Sequence, residues 1–230
     1  MKISLFAAAT SLAFLAAGSA VSAHKTHLDD GLFTTYSVGG NGSSISFSVC
    51  GSLAQSEGCY GGGTLSPFES ACAVLESSPK YRINVVTRDI YVLDKRASGA
   101  DPALLYIYKR TDTITDSSDA IQVSPKKTVS LQTTGGSSAH CSLAANDPLV
   151  YVGTDASTTA VSVDKKSFAV TVLPGFSPAT TVTSITADER GYIALHYGNG
   201  FYLFGPDGSL QEDGGGAADL VNTRNGWKPD

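Results

Sequence analysis

Five tyrosines (Tyr106, Tyr108, Tyr151, Tyr197 and Tyr202) stand in short apolar or alternating segments that recur along the chain. A phenol joins an apolar ring to a polar tip, so several on one exposed face make a shallow contact surface for a sugar or another protein. These are the candidate ligand-binding residues. Hydrolytic chemistry has less to draw on. A triad needs a Ser or Cys beside a His that a carboxylate orients. The chain has four His (His24, His27, His140 and His196) and no GxSxG elbow. His196 lies in a strand-like run beside Tyr197, where a neighbouring strand satisfies a histidine. Asp112, Asp116 and Asp119, and Glu212 with Asp213, offer oxygen ligands but lack the spacing and closing Glu of a calcium loop. They read as solvated turns. A glycosidase pair is defined by a separation in space, and a single Trp is sparse for a polysaccharide cleft. No catalytic residue, metal or cofactor is assigned.

Charge and composition narrow the classes further. With 16 Lys and Arg against 21 Asp and Glu the net charge is −5, and no basic run exceeds two residues. A nucleic-acid-binding surface of phosphate-neutralising Lys and Arg is not expected. At 42% apolar residues the chain is too hydrophobic for a disordered segment.

The amino terminus reads as an export signal over residues 1–23. Lys2 gives the positive start, residues 3–17 the apolar stretch, and Val21, Ser22 and Ala23 the small side chains a signal peptidase accepts. Cleavage there leaves a mature chain that opens on His24 and has no membrane span, so the expected location is secreted, periplasmic or extracellular. A terminal His offers an amine and an imidazole to Cu(II). In that one residue the chain is similar to the copper polysaccharide monooxygenases, which implies a copper site at His24. No other motif of theirs matches, and a repeat-built fold differs from their sandwich. Four cysteines agree with an oxidising compartment and two disulfides. Cys50 with Cys59 closes a short polar loop, which leaves Cys72 with Cys141. Asn41-Gly42-Ser43 is a glycosylation acceptor where the pathway is eukaryotic.

The elements that must position these residues are mostly strands. One helix is expected near residues 67–77: Ser66 caps, Pro67 opens, Glu69 completes a capping box, and Phe68, Ala71, Cys72 and Leu75 share a face. Residues 45–49, 128–131 and 161–163 alternate apolar and polar, while 103–108, 149–152 and 192–195 run apolar like inner strands. Asn199-Gly200 signals a hairpin, and Gly205-Pro206-Asp207-Gly208 a turn.

The most informative pattern is a repeat. Residues 142–147 (SLAAND) align with 184–189 (SITADE), each followed by an apolar strand, and an earlier copy is read from Asn84 with an insertion around residues 120–136. Four strands in about forty residues is the size of a propeller blade. The expected fold is therefore all-β and β-propeller-like, with four or five blades of short antiparallel sheets over residues 24–216 and a polar tail over 217–230. A β-sandwich is the alternative. The expected function is a secreted, non-enzymatic binding protein for an extracellular carbohydrate or protein. An exported hydrolase or lyase, with carboxylates or His in a central pocket, is the alternative.

Overall fold

The computed structural model describes residues 32–53, 56–82, 85–97, 101–114, 119–134, 141–153, 160–172, 184–188, 190–197, 200–206 and 209–215. The expected signal segment, His24, His27, His140 and the C-terminal tail lie outside them. Among the described residues, four antiparallel sheets form in chain order. The first holds β1 (Leu32–Val38), β2 (Ile45–Leu53) and β3 (Ser56–Leu65). The second runs β4 (Ala71–Glu76), β6 (Val85–Asp94), β7 (Pro102–Ile114) and β8 (Asp119–Thr134), with the short β5 (Lys80–Arg82) paired to β6. The third contains β9 (Ser142–Ala145), β10 (Leu149–Gly153), β11 (Ala160–Asp164) and β12 (Val170–Val172). The fourth contains β13 (Ser184–Ala187), β14 (Ile193–Tyr197), β15 (Gly200–Phe204) and β16 (Leu210–Gly215).

First strands of successive sheets lie against one another: β1 on β4, β4 on β9, and β9 on β13. Three separate cores fill the seams. Phe47, Val49, Phe68, Ile90 and Val92 join the first sheet to the second. Leu93, Leu105, Leu131, Val150, Val152 and Val163 join the second to the third. Tyr151, Ile185, Leu195 and Phe204 join the third to the fourth. Each middle sheet therefore buries both faces, which explains why β10 reads as a nearly continuous apolar run and why Ser162 of β11 is buried although its segment alternates. This succession of packed sheets is propeller-like. A two-sheet sandwich would have a single core between its layers.

The expected helix over 67–77 is not formed: residues 71–76 are strand β4. Its residues face both seams, with Ala71 and Val74 in one core and Ala73 in the other, while Cys72 and Leu75 pack against the second. A register shift between Ala71 and Ala73 breaks the two-residue alternation. Apolar residues on both faces plus a bulge mimic the i, i+3, i+4 spacing of a helix. The donors that a helix cap would have satisfied go elsewhere. The N–H groups of Glu69 and Ser70 donate to the Asp94 carboxylate at 2.8 and 2.9 Å. The Ser66–Pro67 peptide is cis. Nearby, the turn between β1 and β2 docks on the start of β4, where Ala71 N–H donates to the Gly42 carbonyl at 2.9 Å. Gly42 has φ 73°, and a Cβ there would stand 2.8 Å from the Ala71 backbone.

The repeat is present, with its earliest copy in a different phase. β9 and β13 are the equivalent first strands of their sheets, at the spacing the sequence shows. The matching strand of the second sheet is β4, not the segment from Asn84, and residues 119–134 are that sheet's own outer strand, not an insertion. Hydrogen bonds after the first strand identify the common module. Asn146 N–H donates to the Leu149 carbonyl at 3.1 Å, and Leu149 N–H to Asn146 Oδ1 at 3.0 Å. Asp188 N–H donates to the Tyr192 carbonyl at 3.0 Å, and Tyr192 N–H to Asp188 Oδ1 at 2.8 Å. Ser77 N–H donates to the Asp89 carbonyl at 2.8 Å, and Asp89 N–H to Ser77 Oγ at 2.9 Å.

Both expected disulfides are formed. Cys50 and Cys59 face each other in the β2–β3 ladder. Cys72–Cys141 ties the first strand of the second sheet to the approach of the first strand of the third. The bonds fit an oxidising compartment, extracellular or periplasmic. No helix among the described residues is long and apolar enough to cross a membrane.

Candidate binding face on the second sheet

Alternate residues of β7 point toward the first sheet: Tyr106, Tyr108, Arg110 and Asp112. The residues between, Leu105 and Ile107, face the third sheet's core. Strand geometry thus sets two phenols and an ion pair in one row. The ionic end is closed. Arg110 is fully buried and donates through Nε to Asp112 Oδ1 at 2.7 Å and through Nη2 to Oδ2 at 2.6 Å. Its Nη1 reaches Glu76 Oε1 at 2.8 Å and Thr34 Oγ1 at 2.5 Å. Arg88 Nη1 donates to Asp112 Oδ2 at 2.9 Å, and the Tyr36 hydroxyl donates to Glu76. Two arginines thus face two carboxylates. Burial works against the Arg110 charge, but the hydrogen bonds it donates to Asp112 and the charges of Glu76 and Asp112 outweigh it and hold its pKa above the usual value. Burial, then the charge of Glu76, drives the Tyr36 phenol far up. This cluster fixes β7 against β1 and β4 and offers no open face to a ligand.

The other end of the row is partly open. Tyr106 and Tyr108 are half-buried, and the buried Phe68 meets both edge-on, at 5.1 Å and 75° and at 6.4 Å and 86°. Edge-to-face contacts of this kind hold rings in place. Asp94, at the end of β6, is fully buried and accepts from Glu69, Ser70 and Arg96 backbone N–H groups, which fixes the loop carrying Phe68. Arg96 takes φ 64° and turns its guanidinium onto the exposed Glu69 carboxylate, beside the Tyr106 phenol. Burial raises the Tyr106 pKa, with Asp94 adding to it; burial also raises that of Tyr108, with Tyr106 adding to it. Both phenols are therefore neutral near pH 7. Two held rings beside an Arg–Glu pair can stack on an apolar face and exchange hydrogen bonds with hydroxyls.

The other tyrosines of the expected set stand elsewhere. Tyr151 is buried in the seam of the third and fourth sheets, where its oxygen accepts from Asn146 Nδ2 at 2.9 Å. Tyr202 is half-buried against the same core, its ring 6.4 Å from that of Phe204. The Tyr197 side chain lies outside the described residues. So Tyr106 and Tyr108 come together, while Tyr151 and Tyr202 serve a different seam. Phe68, Glu69, Asp94 and Arg96 were not among the expected site residues. The first two were read into a helix, and the signal for the others was an Asp closing an apolar run just before a Lys-Arg turn. His196 sits opposite Ser184 with Nε2 3.5 Å from Thr186 Oγ1. Among the described residues, no three His, Cys, Asp or Glu side chains gather as a metal site would require.

No protein-family model matches the chain, and no curated protein sequence matches it. Solved structures do overlap it. One is a protein from Lactobacillus plantarum, at 13% identity and TM-score 0.38, covering 81% of this chain and 69% of that one. Another is apo AztD from Citrobacter koseri, at 12% identity and TM-score 0.30, covering 78% and 60%. The architecture described above rests on the strand order and registers of this chain itself.

Proposed function

We propose that the chain is a secreted, non-enzymatic binding protein that holds an extracellular carbohydrate at the Tyr106–Tyr108 face. What supports this is the pair of half-exposed phenols on one strand, clamped by Phe68 and rimmed by Arg96 and Glu69. Of the two ligand classes expected from sequence, carbohydrate fits the size better. A stable protein partner buries roughly 800 Å² on each side, whereas two rings and one ion pair match a few sugar units. A glycan array tests the reading. Binding by the wild type is expected, with about a tenfold loss or more in Tyr106→Ala and Tyr108→Ala. An array with no ligand, or variants that bind as the wild type does, overturns it. Export is tested separately by the mass of the mature protein, which is expected to begin at His24.

A further inference from the structure

The second sheet outgrows its neighbours. β6, β7 and β8 have 10, 13 and 16 residues, where β10, β11 and β12 have 5, 5 and 3. The added length, with β5 on its edge, includes the excursion that leaves and returns at the Ser77–Asp89 joint. One face of this extension is the buried side carrying Arg88 and Arg110. The other is solvent-facing and polar.

Register assigns that second face. Directly paired residues of an antiparallel ladder share a side. Lys80 pairs with Thr87 and Arg82 with Val85, while Asp89 pairs with Lys109. All alternate with the buried Arg88 and Arg110, so they stand on the opposite side. Lys80, Arg82 and Lys109 are exposed. Lys126 joins them, with Nζ 2.9 Å from Asp89 Oδ2. From the third sheet Lys165 borders the group: its ammonium lies 5.7 Å from the Tyr91 ring centre, donates to the Asn146 carbonyl, and is repelled by Lys80 and Lys126. The carboxylates acting on it are Asp147 and Asp89. Five cations from three strands and a turn thus meet in a chain of net charge −5. No basic run in the sequence announces them, because strand pairing assembles them. Between them Thr87, Thr111 and Gln122, paired across β6, β7 and β8, supply hydroxyl and amide groups.

We propose that this face binds an acidic polysaccharide, a chain of sugars bearing carboxylate or sulfate groups. Lys80, Arg82, Lys109 and Lys126 are all exposed, as binding to an extended polymer requires. Lys80 and Arg82 stand two residues apart along β5, and Lys109 and Lys126 lie on adjacent strands beyond β6, a spread that suits repeated charges better than one small anion. Its threonines and glutamine suit sugar hydroxyls. The site is separate from the Tyr106–Tyr108 face and does not rest on it.

Binding to immobilised polygalacturonate (carboxylate) and dextran sulfate (sulfate) tests the proposal, with neutral dextran as control. Retention on at least one acidic polymer that falls as salt rises is expected, since exposed charges are screened. Lys80→Glu with Lys126→Glu is expected to weaken it by about tenfold or more, and Arg190→Glu, at an exposed cation elsewhere, to leave it unchanged. Tyr106→Ala is expected to retain it, which separates this site from the carbohydrate face. Should the double variant fold poorly, neutralising Lys80, Arg82 and Lys109 to Gln serves instead. Equal retention on neutral dextran, no effect of the charge variants, or tighter binding to single-stranded DNA or anionic phospholipid vesicles would overturn the proposal.

Discussion

Arg110 and Glu76 are 34 residues apart in the chain, yet Arg110 Nη1 and Glu76 Oε1 stand 2.8 Å apart with both side chains fully enclosed. A buried pair of this kind is weak evidence of net stabilisation, because desolvating both charges offsets much of their attraction. Removing one partner is another matter. Arg110→Ala leaves Glu76 and Asp112 buried beside Arg88 alone, and is expected to cost about 3–5 kcal/mol in urea unfolding. Replacing Arg88, Arg110, Glu76 and Asp112 together by apolar residues of similar volume is expected to be near neutral. A small loss in the single variant, like that of a surface change, would show that the cluster does not fix β7.

Asn146 carries two jobs, one to the Leu149 N–H and one to the Tyr151 oxygen, whereas Asp188 holds the Tyr192 N–H. Asn146→Ala is expected to cost about 1–3 kcal/mol because it strands a buried phenol, and Tyr151→Phe about 1 kcal/mol. The double variant should then cost less than the sum of the two, a coupling that thermal unfolding can read. Strict additivity would mean that the hydrogen bond contributes nothing.

The two disulfides span 69 and 9 residues of sequence. If each acts by restricting the unfolded chain, the longer loop contributes about 4 kcal/mol and the shorter about 2.5 kcal/mol. Paired Ser variants at Cys72 and Cys141 should therefore lower the melting temperature more than those at Cys50 and Cys59. The reverse order would point to local strain in the first sheet as the larger effect.

Alkaline pH should unfold this protein. Burial is the leading cause that raises the phenol pKa of Tyr36, Tyr91, Tyr106, Tyr108 and Tyr151. In the unfolded chain these groups ionise near pH 10, so above it the unfolded state binds fewer protons and stability falls as pH rises. Lys165 acts in the opposite sense: burial lowers its pKa, so its penalty eases as pH climbs toward the ordinary lysine value. Five phenols against one amine decide the sign. Circular dichroism followed from neutral pH upward should show a cooperative loss beginning near pH 10, earlier in urea. Retention of structure well above that would refute it.

Much of this architecture was legible in the residues. The apolar runs ending in Val152 and Leu195 mark strands buried on both faces, and the SLAAND and SITADE segments mark the same turn twice. The cysteine spacing allowed the right pairing. The hairpin signal at Asn199-Gly200 was one residue late, since Tyr197 pairs directly with Gly200. What misled was β4, where a bulge imposed helical spacing on a strand, and this displaced the earliest repeat by one element. The tyrosines were recognisable as a type, but which of them share a face depends on register across seams, as Tyr106 and Tyr151 illustrate. The basic face was hidden for the same reason: Lys80, Lys109 and Lys126 are remote in sequence and adjacent only once β5 to β8 have paired.

The reciprocal pair of bonds closing the first strand persists whether its partners are 3, 4 or 12 residues apart, at Asn146, Asp188 and Ser77 respectively. That joint behaves as a port: excursions of different length leave from it and return to it while the sheet beneath keeps its shape. The strand Lys80–Arg82 is what one such graft has added. New segments inserted between Asn146 and Leu149 ought to be accepted in the same way, giving the scaffold a second place at which recognition can be built without disturbing its interior.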